Sequence, residues 1–328
     1  MNWLITGGCG FLGTSLIKRL VSEGGHAIRV LDNLAVGARE DLSEVMNFNE
    51  ITISEELIEP NLSAAQLIIG DIRDQATAEK AVRGMDVIVH FAANTGVPVS
   101  VAEPRLDMEC NVIGTFNMLE AARTHGVGRF VFASSGAPAG EVEPPIHEEL
   151  PPHPVSPYGA SKLAGEGYCS SYFKTFAIDT VSLRFGNVYG PGSKHKSSVV
   201  AKFIRKALNG EILEIYGDGS QTRDFIYIDD LIDAVVSAAT VPDIGGEVFQ
   251  IASNKETTVS EMVDTLLPIL KNAGIQIPKI INSEKRLGDV SRNYSDTSKA
   301  KRILQWKPKV YLTEGLKKTV SSLCNDYN

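Results

Sequence analysis

Tyr158 and Lys162 stand four residues apart in the run Tyr158-Gly159-Ala160-Ser161-Lys162. On a helix that spacing puts both on one face. A tyrosine ordinarily titrates near about 10. An ammonium beside it favours the phenolate, so the pair can form a base able to take a proton from an alcohol near neutral pH. Ser135 ends the apolar run Arg129-Phe130-Val131-Phe132-Ala133-Ser134-Ser135. A strand there would deliver its hydroxyl to the same substrate oxygen. The Tyr-x-x-x-Lys spacing recurs on many helices by chance, so its weight depends on the elements that position it.

The first of those elements is Asn2 to Gly13, NWLITGGCGFLG. Trp3, Leu4 and Ile5 read as a buried strand. Gly7, Gly8 and Gly10 make a turn, and Leu16, Ile17 and Leu20 recur at helical spacing. A helix N-terminus carries unpaired N–H groups and partial positive charge, and so can hold a pyrophosphate. Gly7 permits the tight turn, Gly10 the approach of backbone to phosphate, and Gly13 close helix–strand packing. Ala27 to Leu31 reads as a second strand ending at Asp32. An acid about 20 residues past the glycines can accept hydrogen bonds from adenosine ribose hydroxyls. It would repel a 2′-phosphate, which favours NAD over NADP. The positive nicotinamide ring would add to the shift expected of Tyr158.

Further strands are expected at Gln66–Gly70, Asp86–Phe91 and Thr180–Arg184, with helices at Ala76–Val82 and Tyr158–Phe176. Residues 39–66 read as a polar surface excursion with one short helix. Val101–His125 reads as one long helix interrupted by Pro104, with Gly114 inside it packed closely on another backbone. The proline-rich residues 136–157 form a loop over the sheet's ligand edge. After Gly192 the rhythm changes to helices at Val199–Leu208, Leu231–Ala239 and Val259–Ala273 among short strands. The expected fold is α/β: a Rossmann-type doubly wound parallel sheet over residues 1–185, with a smaller C-terminal substrate-binding lobe over 186–328 interleaved with it.

The chain has 328 residues, 43% hydrophobic and 22% charged, with net charge −8. The charge argues against nonspecific binding to nucleic acid or anionic membrane. No apolar run reaches membrane-spanning length and no signal peptide is read, so a cytoplasmic setting is expected. Cys9, Cys110, Cys169 and Cys324 lack paired spacing and read as free thiols. The histidines show no metal-ligand spacing.

TGGCGFLG at 6–13, Asp32, HFAA at 90–93, Ser134-Ser135, YGASK at 158–162 and RFGNVYGP at 184–191 together resemble the extended short-chain dehydrogenase/reductase superfamily. YGDGSQTRDFIYIDD at 216–230 and RLGDVSRNYSDTSKA at 286–300 extend the resemblance over nearly the whole chain, closest to its NAD-dependent nucleotide-sugar epimerase/dehydratase branch and to UDP-sugar 4-epimerases. That resemblance implies catalysis by Tyr158, Lys162 and Ser135. It implies an NAD site from Gly7, Gly10, Phe11, Leu12, Gly13, Asp32 and Asn33, continued by Asp71, Ile72, Ala92, Ala93 and Asn111 and shared with Tyr158 and Lys162. It implies a nucleoside-diphosphate sugar held by Ser134, Ser135, Asn187, Val199, Tyr216, Arg223, Arg286 and Asp289. Arg223 and Arg286 take the positions that hold the diphosphate, a task suited to bidentate arginine. A homodimer packed through helices at about 101–125 and 157–176 is also implied.

The reaction implied is inversion of C4 through a transient 4-keto sugar. Similar dehydratases carry an Asp-Glu pair where this chain has Gly136 and Ala137, so dehydration loses its acid and base. UDP-glucuronate decarboxylases place a glutamate in this stretch, whereas Glu141 and Glu143 lie further along. A reductase of the same family, and a non-catalytic NAD-binding regulator, are the other readings; the regulator would have lost Tyr158 or Lys162. Pro138-Ala139-Gly140 replaces the usual Val-Tyr-Gly, which leaves the packing there open. Asn187 resembles the UDP-galactose 4-epimerase pattern, the Thr95–Ser100 loop resembles that of UDP-glucuronate 4-epimerases, and Asn293 takes a position governing room for an N-acetyl group. Glucose/galactose, N-acetylhexosamine and uronate substrates all stay open.

Overall fold

A computed structural model describes residues 1–52, 61–196, 198–284 and 290–326. The chain opens with β1 (Asn2–Thr6), α1 (Phe11–Glu23) and β2 (Ala27–Asp32), then α2 (Arg39–Ser43) and β3 (Phe48–Ile51). It continues through β4 (Ala65–Ile69), α3 (Gln75–Val82) and β5 (Val87–His90) to α4 (Val97–Ala102), α5 (Pro104–Met108) and α6 (Gly114–His125). The catalytic candidates lie on β6 (Arg129–Ser135) and α7 (Pro157–Phe176), followed by β7 (Asp179–Phe185) and β8 (Asn187–Tyr189). The remainder is α8 (Val199–Leu208), β9 (Leu213–Tyr216), β10 (Thr222–Arg223), β11 (Phe225–Tyr227), α9 (Ile228–Thr240), β12 (Glu247–Ile251), β13 (Thr257–Thr258), α10 (Val259–Asn272), β14 (Ile280–Ser283), α11 (Ser298–Ile303) and α12 (Leu312–Asp326).

Eight strands form one parallel sheet in the order β12-β7-β6-β5-β1-β2-β4-β3. Strands of such a sheet are covered on both faces and read as continuous apolar runs. Trp3, Leu4 and Ile5 are accordingly buried, as are Phe130, Val131 and Phe132. Strand order reverses between β1 and β5, and a crevice opens there outside the strands' carboxyl ends. This is the doubly wound α/β fold expected from the alternation of elements. Strand β12, from the second half of the chain, pairs in register with β7 and completes the sheet. The rest of that half builds small pairings, β8 with β11, β9 with β14 and β10 with β13. No helix among the described residues is long and apolar enough to cross a membrane.

Three local expectations are corrected. The excursion at 39–66 contains a strand besides its short helix: β3 pairs parallel with β4 at the sheet edge. Its alternation is too brief, in Phe48-Asn49-Glu50-Ile51, to stand out in the sequence. The helix expected at Val101–His125 begins at Val97 and breaks before Pro104, which cannot donate to the ladder. It resumes through a π-helical turn at Glu109–Ile113 that carries Asn111. Gly114 does pack closely, but against a side chain: a Cβ there would lie 2.5 Å from Ile72 Cδ1.

Helix α7 starts as its sequence directs. Ser156 caps it by accepting from the Gly159 N–H at 3.1 Å, and Pro157 sits in the first turn, where a missing N–H costs nothing. At the other end of the crevice, α1 leans on the glycine turn so tightly that a Cβ on Gly13 would lie 2.4 Å from Gly8 Cα. Backbone cannot yield there as a flexible side chain could. Gly13→Ala is therefore expected to destabilise the protein by about 1–3 kcal/mol, read as a lowered midpoint in urea unfolding.

Candidate active site

Beyond the carboxyl ends of β1, β2, β5, β6 and β7 lies a cleft of about 2080 Å³. One end is walled by the glycine turn. Gly7 has φ +68°, and a Cβ on it would lie 2.9 Å from the Ala92 nitrogen. Only glycine suits both that conformation and that approach. The Gly10 N–H bonds back to the Gly7 carbonyl at 3.1 Å, and Gly10 opens α1 without a side-chain cap. Gly10, Phe11 and Leu12 all line the cleft. The turn thus presents uncapped helix N–H groups where no side chain intrudes, which fits a dinucleotide pyrophosphate.

Asp32, at the end of β2, accepts from the Cys9 N–H at 2.9 Å and the Leu34 N–H at 2.8 Å. Burial pushes its carboxyl above the usual range, with both bonds opposing. A carboxylate offers about four lone-pair sites, so two bonds leave capacity for ribose hydroxyls. Asn33 donates to Asp71 at 3.1 Å, and Asp71 is held by Arg73 at 2.8 Å. That guanidinium draws the Asp71 carboxyl down to about 2. Asn33, Asp71, Ile72, Ala92 and Ala93 border the cleft.

At the other end, Ser135, Tyr158 and Lys162 come together. The Tyr158 hydroxyl hydrogen-bonds with Ser135. Lys162 is buried, donates to the Ala133 carbonyl at 2.8 Å, and has its Nζ 5.9 Å from the Tyr158 ring centre. Burial lowers Lys162 to about 8, although Asp107 acts against it. Burial also pushes the Tyr158 phenol up to about 12, with Asp107 adding to the rise. In the protein without a second cation beside the phenol, burial is thus the dominant influence on Tyr158.

Two expected residues lie elsewhere than on the cleft wall. Gly13 packs α1 onto the turn. Asn111 is buried behind the wall: its amide donates to the Asn94 carbonyl, Asp107 and Ser161, and accepts from the Asn94 N–H at 2.8 Å. In the protein itself Asn111 supports the Asn94 loop and α7 at Ser161. Ser134 borders the cleft, and its hydroxyl donates inward to Glu166 at 2.5 Å.

On the far wall, Asn187, Val199, Tyr216 and Arg223 line the same cleft. Arg223 is steadied by donation to the Thr222 carbonyl at 2.6 Å and the Val290 carbonyl at 3.0 Å. Tyr216 donates to Glu214 at 2.9 Å, and Lys202 lies 5.4 Å from its ring centre. Arg286 and Asp289 lie outside the described residues. The Pro138-Ala139 replacement is accommodated: residues 137–139 form a 3-10 turn with Pro138 and Ala139 buried, and the Ala139 carbonyl accepts from the His153 N–H at 3.2 Å.

A scan of family profiles matches residues 3–252 to the NAD dependent epimerase/dehydratase family. The chain belongs to this family. It is 35% identical to a UDP-glucose 4-epimerase of Mycolicibacterium smegmatis over 99% of both chains. The solved UDP-glucose 4-epimerase of Thermotoga maritima, with UDP-glucose, superposes with TM-score 0.87 at 34% identity over 100% of both chains. The UDP-glucuronic acid 4-epimerase of Bacillus cereus, in complex with UDP-glucuronic acid and NAD, gives TM-score 0.88 at 30% identity over 100% of both chains.

Two buried networks had no signal in spacing. His90 bonds Thr6 Oγ1 at 2.8 Å and Thr115 Oγ1 at 3.1 Å, and Thr6 Oγ1 accepts from the Ala92 N–H. Burial drops His90 to about 3, so it stays neutral and fixes the β1–β5 junction without titrating. Glu166 on α7 pairs with Arg184 on β7 at 2.7 Å while accepting from Ser134 on β6. This ties all three elements beside the catalytic candidates. Removing one partner of a buried ion pair strands the other charge at a cost of about 3–5 kcal/mol. Glu166→Gln is expected to lower the unfolding midpoint accordingly, whereas Ser134→Ala leaves the pair intact and costs about 1.5–3 kcal/mol, the scale of a hydrogen bond to a charged group.

Proposed function

We propose that this protein is an NAD-dependent UDP-sugar 4-epimerase, an isomerase inverting C4 of a hexose of glucose, N-acetylhexosamine or uronate type. One observation carries the reading: a side-chain-free glycine cradle and the Ser135–Tyr158–Lys162 set line a single cleft. In this reading Gly7, Gly10, Phe11 and Leu12 hold the pyrophosphate, Asp32 and Asn33 the adenosine ribose, and Asp71 and Ile72 border the adenine end. Bound NAD supplies a hydride acceptor and donor for C4 and a cationic ring beside the phenol.

The chain's own part is proton handling and orientation. Tyr158 Oη takes the proton from the C4 hydroxyl and later returns it. Ser135 shares that oxygen and keeps it in line with Tyr158. Lys162, anchored on Ala133, keeps positive charge near the phenol while its burial keeps water out. Burial, with Asp107 adding to it, holds Tyr158 at about 12. A cation added beside the phenol favours the phenolate, which couples the base to cofactor occupancy. Arg223 is placed for the substrate's diphosphate, Tyr216 and Val199 for its base, and Asn187 for the segment between base and sugar; Arg286 and Asp289 are assigned to the same substrate.

Gly136 and Ala137 follow Ser135 on the cleft wall, so no carboxylate stands where elimination of water would need an acid and base. Glu143 is turned outward onto Arg292 instead, which argues against a decarboxylase. Gly136 faces Asn293, with a Cβ there only 3.5 Å from Asn293 Nδ2, so these small residues set the room at the sugar. The four free cysteines support a cytoplasmic setting. Exposed Leu106, Ile113, Phe116, Tyr168 and Phe176 on the helices flanking the catalytic helix, and α7 itself, support a homodimer through that face.

Tyr158→Phe is expected to lower turnover at least about a thousandfold, in line with loss of a general base and more, while NAD released on denaturation stays at the wild-type amount. Incubation with UDP-sugars and no added reductant, followed by NMR of C4, tests the reaction itself; near-normal turnover of Tyr158→Phe would sink the assignment. Light scattering after size exclusion should report a dimer for the wild type and a monomer for Phe116→Asp, since a charge at a buried contact is costly.

A further inference from the structure

The segment Pro191–Lys196 crosses over the glycine turn. At its start, a Cβ on Gly192 would lie 3.8 Å from the Phe11 ring. Lys194 then pairs with Asp41 at 2.6 Å and Glu44 at 3.6 Å, and His195 approaches Asp41 at 3.6 Å. Lys196 differs from these neighbours. Its ammonium lies 5.1 Å from the centre of the Phe11 ring and lines the cleft. Among the described residues it has no carboxylate partner. Burial lowers it to about 8, and no charge acts against that burial.

A half-buried ammonium without a counter-ion is costly unless something anionic meets it. The Phe11 ring can orient the cation but cannot neutralise it. Phe11 is also the first residue of α1, whose opening turn has no side-chain cap and no acidic residue. Two sources of positive potential, the helix start and the lysine, therefore face one place, and among the described residues no carboxylate pairs with the lysine there. The cations on the substrate wall, Arg223 and Lys202, sit apart from it beside β10 and Tyr216.

We propose that Lys196 is a phosphate ligand of the cofactor, closing over the pyrophosphate from the side opposite the glycine turn and slowing its escape. The proposal rests on the NAD-binding reading above but not on which sugar is epimerised. It makes the Pro191–Lys196 strap a retaining element: Lys194 and His195 fasten it to α2 while Lys196 engages the ligand.

The test uses the purified protein with its own NAD. Occupancy is read from cofactor released on denaturation, and exchange from the uptake of labelled NAD added in excess. Lys196→Gln and Lys196→Met are each expected to exchange NAD about tenfold faster than wild type, the scale of one lost charge-assisted hydrogen bond. Lys196→Arg should stay close to wild type, and the affinity of the holoenzyme for UDP should not change in any of the three. Wild-type occupancy and exchange in both neutral variants would overturn the proposal and leave the epimerase reading standing. Weakened UDP binding with unchanged NAD exchange would also overturn it, by placing Lys196 on the substrate. A wild-type protein that carries and binds no NAD would overturn both.

Discussion

The geometry of this protein depends on a place where backbone meets backbone with no room for a Cβ. Gly7 lies against Ala92, and Gly13 against Gly8, at the point where the strand order of the sheet reverses. Parallel strands on both sides of β1 end there, so their terminal residues converge on one crevice. Thr6 and His90 lock the junction by side-chain hydrogen bonds, and His90 is kept neutral by its burial. The crevice is thus a consequence of packing before it is a binding site. A Cβ on Gly7 or Gly13 would push apart the backbones that meet there and change the space at the turn.

At the reacting end, desolvation is the dominant force. It raises the Tyr158 phenol to about 12 and lowers Lys162 to about 8, so each group is driven toward its neutral form. A phenol held that high is a poor base even beside the Lys162 ammonium, which stays mostly protonated at neutral pH. A second cation beside it would favour the phenolate, which is the part the proposed cofactor would play. The same burial is tolerable structurally because Lys162 donates to Ala133, and the Glu166 carboxylate beside it is held by Arg184 and Ser134.

Much of this was legible in the sequence because backbone-level constraints leave local marks. Gly7 and Gly13 are required by close approach, Asp32 by the end of a strand, and Tyr158 with Lys162 by one helix face. The order of buried apolar runs also conveyed the parallel sheet. What was not legible depends on partners far apart in the chain. The strand at Phe48–Ile51 is too short to show its alternation, and its place is set by β4. The inward turn of Ser134 depends on Glu166, 32 positions on. Asn111 sits in a π-helical turn that no local preference announces, and its bonds to Asn94 and Ser161 join residues 17 and 50 positions away. The rise of Tyr158 likewise reflects burial, which residue spacing does not encode.

The substrate wall carries a different kind of constraint. It is assembled from β8, β10, β11 and the segment after residue 290, none of which is a long element able to fix its own position. Asp224, between β10 and β11, joins them. Its buried carboxylate accepts from the N–H groups of Ser253 at 2.6 Å, Asn254 at 3.0 Å and Ser295 at 3.3 Å, while its carbonyl accepts from the Asn187 N–H at 2.7 Å. Burial raises that carboxyl and the donors oppose the rise, so the charge is stabilised only when all these strands are in register. Arg223 and Asn187 are thereby held against the same knot, one directly preceding Asp224 and the other bonded to it. The cofactor end can be rigid because its residues follow one another along strand and helix. The substrate side leans on the buried Asp224 charge instead, since the segments it joins lie far apart in the chain.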